Sequence, residues 1–227
     1  MGGKSVSRNI KGEDMNKQGA GKIDYCDYTW NPIGGCLHAC PYCYMMRMEK
    51  RFPGIMKPKF HPKRLSQPMS VKKPSVIFTG SSGDGWGGWV DSEHIDDVLD
   101  VCTVFATQHT YLFLTKNPKR YGDFRAIENG WYGTTDDGTN RTQNNIRELC
   151  LSVNAQRRFV SFEPLLNCVE PNLSGIQWVI IGADSTRGAA KPPKEWADTI
   201  IEEARRYNIP VWIKDNYHFP LRIKEKP

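Results

Sequence analysis

The sequence comprises 227 residues, of which 39% are hydrophobic, enough for one domain with a sizeable core. It has no apolar run near the about 18 residues that span a bilayer, and its charged N-terminus lacks an apolar signal segment, so we expect a cytoplasmic protein without membrane contact. The net charge is +6, and seven cysteines, an odd number, argue against a disulfide framework and for reduced thiols.

The first segment, 1–22, is rich in glycine and charge and lacks hydrophobic periodicity, which predicts a flexible basic tail before one domain over 23–227. Short β-branched and aromatic runs predict strands at 25–30, 75–79, 111–115, 131–135, 158–162, 176–181 and 209–213. Helical patterns lie between them at 41–52, 92–108, 117–130, 139–153 and 193–207.

This alternation predicts an α/β fold with a mostly parallel sheet of six to seven strands. Such a sheet is too small for a closed eight-stranded barrel, so we expect an open, partial (β/α)6 TIM-like barrel. Ligands bind such sheets at the carboxyl ends of the strands. These ends carry the cysteine-rich loop, the segment 80–89, Thr115, 134–136, Glu163, 182–185 and Lys214.

Three closely spaced cysteines lie in the loop after the first predicted strand. Cys36, Cys40 and Cys43 have the spacing C-x3-C-x2-C, which lets three thiolates converge on one iron–sulfur cluster or one metal ion. A [4Fe-4S] cluster is normally held by four thiolates, so three ligands leave one iron open to a substrate or cofactor.

The alternative is a structural zinc site. Cys26 or His38 could complete a four-ligand zinc knuckle with the three cysteines, in a nucleic-acid-binding module without catalysis. Structural zinc sites usually pair their ligands as two short hooks, and this chain has one hook and a separate cysteine. The spacing therefore favours the cluster.

The cysteine motif, with Tyr42 before its last cysteine, resembles the radical S-adenosylmethionine (SAM) superfamily. Over residues 30–216, a series of short motifs in the same order resembles an uncharacterised, phage-associated radical SAM family. These motifs are Trp30-Asn31-Pro32, Gly35-Cys36, Cys43-Tyr44, Phe60-His61-Pro62, Arg64-Leu65, Leu114-Thr115-Lys116, Phe159-Val160-Ser161, Glu163-Pro164-Leu165-Leu166 and Trp178-Val179-Ile180-Ile181-Gly182.

The resemblance implies the partial barrel, a [4Fe-4S] cluster on the three cysteines, and SAM, which the cluster cleaves to a 5′-deoxyadenosyl radical that abstracts hydrogen from the substrate. It also implies an external electron donor of the flavodoxin or ferredoxin kind and, if the gene is carried by a phage, location in the host cytoplasm. It implies no particular substrate.

Superfamily members carry Gly-Gly-Glu after the second strand to hold the amino group of SAM, and this chain departs from that pattern. The corresponding residues are Gly80, Ser81, Ser82 and Asp84, whose hydroxyl, carbonyl and carboxylate oxygens suit an ammonium group. Tyr42 is expected to pack against the cluster and the adenine of SAM.

Polar residues at later strand ends complete the predicted cofactor site. Thr134, Thr135 and Asp136 suit the ribose hydroxyls, although they could equally cap the following helix. Thr115 and Gly182 lie at the ends of neighbouring strands and are assigned to the cofactor with them.

Three charged residues are candidates for catalysis. Glu163 ends an apolar strand, where a carboxylate needs a partner such as Arg158, SAM or the substrate. Asp184 and Lys214 occupy similar positions after the next two strands. We assign all three to the catalytic site.

The substrate is suggested by charge and aromatic residues. The segment 57–73 contains six basic residues and no acidic one, which suits phosphate groups or, equally, a solvated loop. Trp86 and Trp89 lie among glycines and could stack on a planar substrate or pack on the protein itself. We therefore expect a nucleic acid or nucleotide substrate, with a peptide as the next choice.

Overall fold

The computed structural model describes residues 14–227, which fold as an α/β half-barrel. The strands are β1 (Asn16–Lys17), β2 (Tyr28–Trp30), β3 (Ile33–Gly34), β4 (Lys59–Phe60), β5 (Val76–Thr79), β6 (Thr110–Thr115), β7 (Gly130–Thr135), β8 (Arg158–Phe162), β9 (Trp178–Ile181) and β10 (Val211–Ile213). The α-helices are α1 (Tyr44–Glu49), α2 (Ser92–Asp100), α3 (Asn145–Ser152) and α4 (Lys194–Arg206). No helix in this described part of the chain is long and apolar enough to cross a bilayer.

Eight strands form one curled sheet in the order β1-β2-β5-β6-β7-β8-β9-β10, and β3 pairs with β4 separately. Within the eight-stranded sheet, β2, β5, β6, β7, β8, β9 and β10 run parallel to one another, whereas β1 pairs antiparallel with β2 at the edge. Parallel neighbours in chain order require a crossover between them; within the described residues, helices or helical turns lie in each of these connections except that from β8 to β9, which has none. The predicted partial barrel with a mostly parallel sheet is confirmed.

The α-helices α2, α3 and α4 cover one face of the sheet. Ile95, Leu149 and Ile200 of these helices pack into a hydrophobic core with alternate strand residues. The opposite, helix-free face carries a second cluster of large side chains, among them Phe78 and Trp178. Both faces of the strands from β5 to β10 are therefore mostly buried, which explains the near-continuous apolar runs of the sequence.

The residues before β2 cross the helix-free face. Tyr25 is buried there, and its ring meets Phe78 and Trp178 edge-on, with 5.9 Å between the centroids in each pair. An indole N–H of β10 donates a hydrogen bond of 3.0 Å to Asp24, which links this segment to the last strand. The strand predicted at 25–30 therefore begins later, at β2, because its first residues pack across the barrel.

The predicted tail, 1–22, lies partly outside the described residues, which begin at Asp14. Within it, β1 pairs with the edge of β2, and Gln18 Nε2 donates a hydrogen bond to Thr29 Oγ1 at 3.3 Å. The residues from Asp14 to Lys22 thus include a sheet strand, because the edge of β2 offers unpaired backbone groups.

Most predicted helices are shorter in the structure. The helix predicted at 92–108 is α2 followed by a π-helical turn, Val101–Phe105; 117–130 contains the 3₁₀ helix Pro118–Asp123, and 139–153 becomes helical only at α3. In the 3₁₀ helix, the Tyr121 hydroxyl donates to the carbonyls of Phe113 in β6 and Gly133 in β7, at 3.1 and 2.9 Å, which holds the chain against the sheet.

Candidate active site

A cavity of about 530 Å³ opens on the helix-free face, at the carboxyl ends of the parallel strands. Most of the residues predicted for the site line it, namely Cys36, Cys40, Tyr42, Cys43, Gly80, Ser81, Ser82, Asp84, Thr115, Thr135, Glu163, Asp184 and Lys214. Thr134, Asp136 and Gly182 do not line it. The topology therefore brings together residues that are up to 178 positions apart, from Cys36 to Lys214.

Glycines fix the entry into the cysteine loop. The Gly35 amide donates to the Ser82 carbonyl at 3.0 Å, and the Asp84 amide donates to the Gly35 carbonyl at 3.2 Å. Gly35 has a φ of +79°, and a Cβ at this position would lie 2.2 Å from the Lys57 carbonyl oxygen. No other residue fits there without moving the backbone. The loop is thereby held against the segment that follows β5.

The three cysteines of the loop form no disulfide within residues 14–227 and line the cavity. Burial raises the pKa of the Cys36 thiol to about 12; the His38 amide that donates to its sulfur opposes this, and the nearby Asp84, Cys40 and Cys43 add to it. Thiolates at this site would therefore need a positive partner to be stable. Iron would supply that charge, and thiolates are the usual ligands of an iron–sulfur cluster, so the donor set fits such a cluster.

A single-ion site has less support. Among residues 14–227, no group of three or more His, Cys, Asp or Glu side chains is placed to hold one metal ion. Cys26 packs in the aromatic cluster of the helix-free face, where burial raises the pKa of its thiol to about 12. His38 Nε2 lies 2.8 Å from Asp84 Oδ2. Both proposed fourth ligands of a zinc knuckle are thus engaged elsewhere.

Asp84 connects the cysteine loop to the strand ends. Its Oδ2 lies near His38 and accepts hydrogen bonds from Thr115 Oγ1 at 2.9 Å and the Lys116 amide at 3.0 Å. Its Oδ1 accepts from the Trp86 amide at 3.0 Å. Asp84 is buried, and both carboxylate oxygens are already used within the protein.

The serines after β5 are held by Asn31, which the sequence analysis named in a family motif but did not assign to the site. Asn31 Oδ1 accepts from the Ser82 amide at 2.9 Å, and the Asn31 and Ser81 side chains lie within hydrogen-bond distance of each other. The Tyr44 hydroxyl donates to the Ser81 carbonyl at 2.7 Å. The two serines therefore face the cavity from a fixed backbone.

Tyr42 belongs to a network that sequence reasoning missed. Its hydroxyl donates to Asp137 Oδ2, and Lys116 Nζ lies 3.3 Å from the same oxygen and 5.4 Å from the centroid of the Tyr42 ring. Burial by itself would raise the pKa of Asp137, but hydrogen bonds from Thr139 and Tyr42 and the Lys116 ammonium together lower it well below its usual range. The sequence did contain an indication of this network, because Lys116 and Asp137 each follow the end of a predicted strand.

Of the three residues predicted to bind the ribose hydroxyls, one lines the cavity and two do not. Thr135 lines the cavity, whereas Thr134 is fully buried and donates to the Thr115 carbonyl at 2.9 Å. Asp136 accepts from the Gly138 amide and from Thr142 in the turn before α3, and burial raises its pKa. Asp136 therefore closes a turn before α3 and does not cap that helix, whose N-cap is Asn144, and it lies outside the cavity lining.

The wall formed by β8, β9 and β10 carries the charged residues predicted for catalysis. Lys214 forms an ion pair with Glu163, and both are mostly buried. A Cβ on Gly182 would lie 3.0 Å from Glu163 and 3.2 Å from Lys214, so this glycine leaves the room that the pair occupies. Asp184 accepts two hydrogen bonds from Thr186 and forms a turn at the rim.

The two tryptophans of the glycine-rich segment after β5 are largely packed on the protein itself. Trp86 is 4% exposed and its ring lies 4.6 Å from that of Tyr121, within the main core. Trp89 is partly buried and lies edge-on to His38, with 4.9 Å between the centroids. Both rings have protein partners because the loop folds back over the ends of β5 and β6. Of the two alternatives left open by the sequence, Trp86 follows the second and packs on the protein itself.

Part of the basic segment 57–73 lies beside the cysteine loop. Lys57, Lys59, His61 and Arg64 line a second cavity of about 520 Å³, which shares Ser81 and Ser82 with the first. Positive charge therefore adjoins the candidate active site.

Residues 20–223 match a family model described as "Protein of unknown function (DUF5131)". No curated protein matches the sequence. One similar solved structure is a spore photoproduct lyase mutant with bound AdoMet and dinucleoside spore photoproduct; it has a TM-score of 0.61 and 10% identity, with 92% of this chain and 80% of that chain covered. A second, spore photoproduct lyase complexed with dinucleoside spore photoproduct, has a TM-score of 0.54 and 11% identity over 88% of this chain and 65% of that one. At these identities the likeness shows a common fold.

Proposed function

The chain belongs to the DUF5131 family, and from the geometry of its cavity we propose that it is a radical SAM enzyme. The observation that carries this proposal is the position of Cys36, Cys40 and Cys43. Their thiols share the wall of one cavity, at the carboxyl edge of a parallel half-barrel, and the spacing C-x3-C-x2-C leaves a cluster without a fourth ligand from the loop. The fold shared with spore photoproduct lyase, a structure of which has bound AdoMet, supports it.

In this proposal the three cysteines hold a [4Fe-4S] cluster and the cavity holds SAM. When bound, the cluster would supply the electron for reductive cleavage of the C5′–S bond of SAM, which would release methionine and a 5′-deoxyadenosyl radical able to take hydrogen from the substrate. The protein positions these groups and excludes water. An external donor of the flavodoxin or ferredoxin kind supplies the electron.

The residues around the loop would orient SAM. The carbonyl oxygens of Ser81 and Ser82 each keep a second lone pair for the ammonium group, and the Thr135 hydroxyl suits a ribose hydroxyl. The Tyr42 ring, fixed by its bond to Asp137, offers a face to the adenine. Asp84 acts indirectly, since its oxygens hold the loop and the strand ends in place.

We propose a nucleic acid or nucleotide as the substrate. The basic residues beside the cysteine loop suit phosphate groups, and the apolar wall of Tyr25 and Phe78 suits a planar ring. The fold-related lyase structures contain a dinucleoside. Glu163, Asp184 and Lys214 lie on the wall left for the substrate and are the proposed catalytic residues.

The test is anaerobic reconstitution with iron and sulfide, then addition of dithionite and SAM and measurement of 5′-deoxyadenosine. We expect a cluster spectrum and 5′-deoxyadenosine from the wild type. Cys40→Ala should abolish both, whereas Cys168→Ala, at an exposed cysteine outside the cavity, should change neither.

The variant Cys26→Ala separates the cluster from a zinc knuckle. A cluster on the loop cysteines should survive this change, whereas a zinc site completed by Cys26 should lose its metal. A protein that binds one zinc per chain, stays colourless and leaves SAM intact would refute the enzyme proposal and favour a nucleic-acid-binding module.

A further inference from the structure

The cavity wall opposite the cysteine loop carries a small polar cluster formed by Ser161, Glu163 and Lys214. Ser161 lies in β8, Glu163 ends the same strand, and Lys214 follows β10. Tyr25 and Phe78 line the cavity beside them. The cluster is thus bordered by aromatic rings and placed where parallel sheets bind their ligands.

Ser161 has an unused hydroxyl. The side chain is 1% exposed, and its Oγ has no hydrogen-bond partner among the described residues. Leaving a buried hydroxyl unpaired is unfavourable, and nearly all such groups in native proteins are paired. Since Ser161 lines the cavity, a ligand can provide the missing partner.

Glu163 and Lys214 form a fixed, electrically neutral pair. They meet across Gly182, whose missing side chain makes room for them. Among the described residues the pair uses one carboxylate oxygen of Glu163, so the second oxygen remains an acceptor and the ammonium keeps further protons to donate. The cluster therefore offers a donor on Ser161, an acceptor on Glu163 and a donor on Lys214.

We infer that this cluster binds the imide edge of a uracil or thymine ring. That edge presents a carbonyl, a ring N–H and a second carbonyl, which complement a donor, an acceptor and a donor. The ring would lie beside Tyr25 and Phe78, which line the cavity. This inference rests on the proposed function and names the part of the substrate that the site recognises.

Other ligand classes fit the cluster less well. A phosphate would meet the Glu163 carboxylate, and like charges repel in a partly buried site. A free amino acid would have to break the Glu163–Lys214 pair to form its own ion pairs, with no net gain in charge pairing. A neutral ring can form hydrogen bonds to the second Glu163 oxygen and to the remaining ammonium protons of Lys214 without breaking the pair.

The experiment measures binding of labelled uridine and thymidine to the reconstituted protein with SAM, by anaerobic equilibrium dialysis. Ser161→Ala, Glu163→Gln and Lys214→Met should each weaken uridine binding about ten-fold or more. The matched control is the surface ion pair of Lys119 and Glu148, 3.7 Å apart, whose variants Lys119→Met and Glu148→Gln should bind normally.

Two further comparisons test recognition of the ring edge. The matched ligand 3-methyluridine cannot donate from its ring nitrogen, so it should bind about ten-fold or more weakly than uridine. The exchanged pair, Glu163→Lys with Lys214→Glu, keeps the two charges together but reverses their order. It should stay folded by circular dichroism and still lose uridine binding.

The inference is overturned if uridine and 3-methyluridine bind equally, if neither nucleoside binds, or if the variant with the exchanged pair binds uridine as tightly as the wild type. SAM cleavage without nucleoside is measured on the same samples. Wild type that cleaves SAM but ignores nucleosides refutes the inference and leaves the proposed function in place. Wild type that binds uridine but never cleaves SAM refutes the proposed function alone.

Discussion

Replacing Gly35 by alanine should break the geometry of the cysteine loop. Gly35 has a φ of +79°, and its new Cβ would lie 2.2 Å from the Lys57 carbonyl oxygen and 2.7 Å from the Pro58 nitrogen. Carbon and oxygen atoms rarely approach closer than about 3.3 Å, so the backbone must move by about 1 Å. A left-handed alanine costs about 1–2 kcal/mol, and relieving the overlap costs about 1–3 kcal/mol more. The free energy of unfolding should fall by about 2–5 kcal/mol.

The same displacement should act on metal binding, because Gly35 directly precedes Cys36. Its amide and carbonyl bond to the Ser82 carbonyl and the Asp84 amide, and both bonds would be disturbed. We expect Gly35→Ala to lose most of its iron and sulfide per chain after anaerobic reconstitution and to unfold at lower urea. The control is Gly88→Ala, whose Cβ would meet nothing within 4 Å. Wild-type iron content and stability in Gly35→Ala would refute this reasoning.

Two other substitutions probe the site and the core. Asp137→Asn removes the charged acceptor shared by Tyr42 and Lys116 and should lower the free energy of unfolding by about 3 kcal/mol at pH 7. Folding lowers the pKa of Asp137, so its contribution to the free energy of unfolding is present above the unfolded pKa of about 3.9 and is lost as the pH falls through the folded pKa. Urea titrations should therefore show that the difference in stability between wild type and variant shrinks below about pH 4. A difference that stays constant with pH would contradict this, and the exposed Asp123→Asn is the control. Leu149→Ala, at a fully buried position of α3, should cost about 2–5 kcal/mol in the same assay. Leu151→Ala, 70% exposed on the same helix, should stay within about 0.5 kcal/mol of wild type, and equal losses in both would refute the assigned burial.

The strands could be predicted because their residues are buried on both faces. Runs such as 158–162 and 176–181 are nearly all apolar or aromatic, and only a parallel sheet with helices between its strands buries such runs. The helices were predicted less well. The segment 139–144 has good capping residues, but Thr142 bonds to Asp136 and Asp137 instead, so the helix begins only at α3. Tertiary contacts of this kind leave no periodic signal.

The site could be predicted to the level of strand ends but not of individual contacts. The rule that ligands lie at carboxyl ends placed Cys36, Glu163 and Lys214 on one cavity. It could not show that the Asp84 carboxylate accepts hydrogen bonds from the protein itself, or that Lys116 pairs with Asp137 after β7. Those facts depend on the register of neighbouring strands, which hydrophobic pattern alone does not fix.

The two walls of the cavity differ in the hydrogen-bonding capacity that they retain. On the cysteine side, Asp84 and Asp137 accept hydrogen bonds at both of their oxygens, which fixes the loop rigidly to the ends of β5, β6 and β7. On the opposite side, Ser161 has no partner among the described residues, and only one Glu163 oxygen is engaged, by Lys214. A rigid wall suits a cofactor whose position must be fixed before reaction, whereas unused donors and acceptors suit a substrate that satisfies them on binding. Substitutions on the first wall should therefore change cofactor loading, and those on the second should change substrate affinity at unchanged loading.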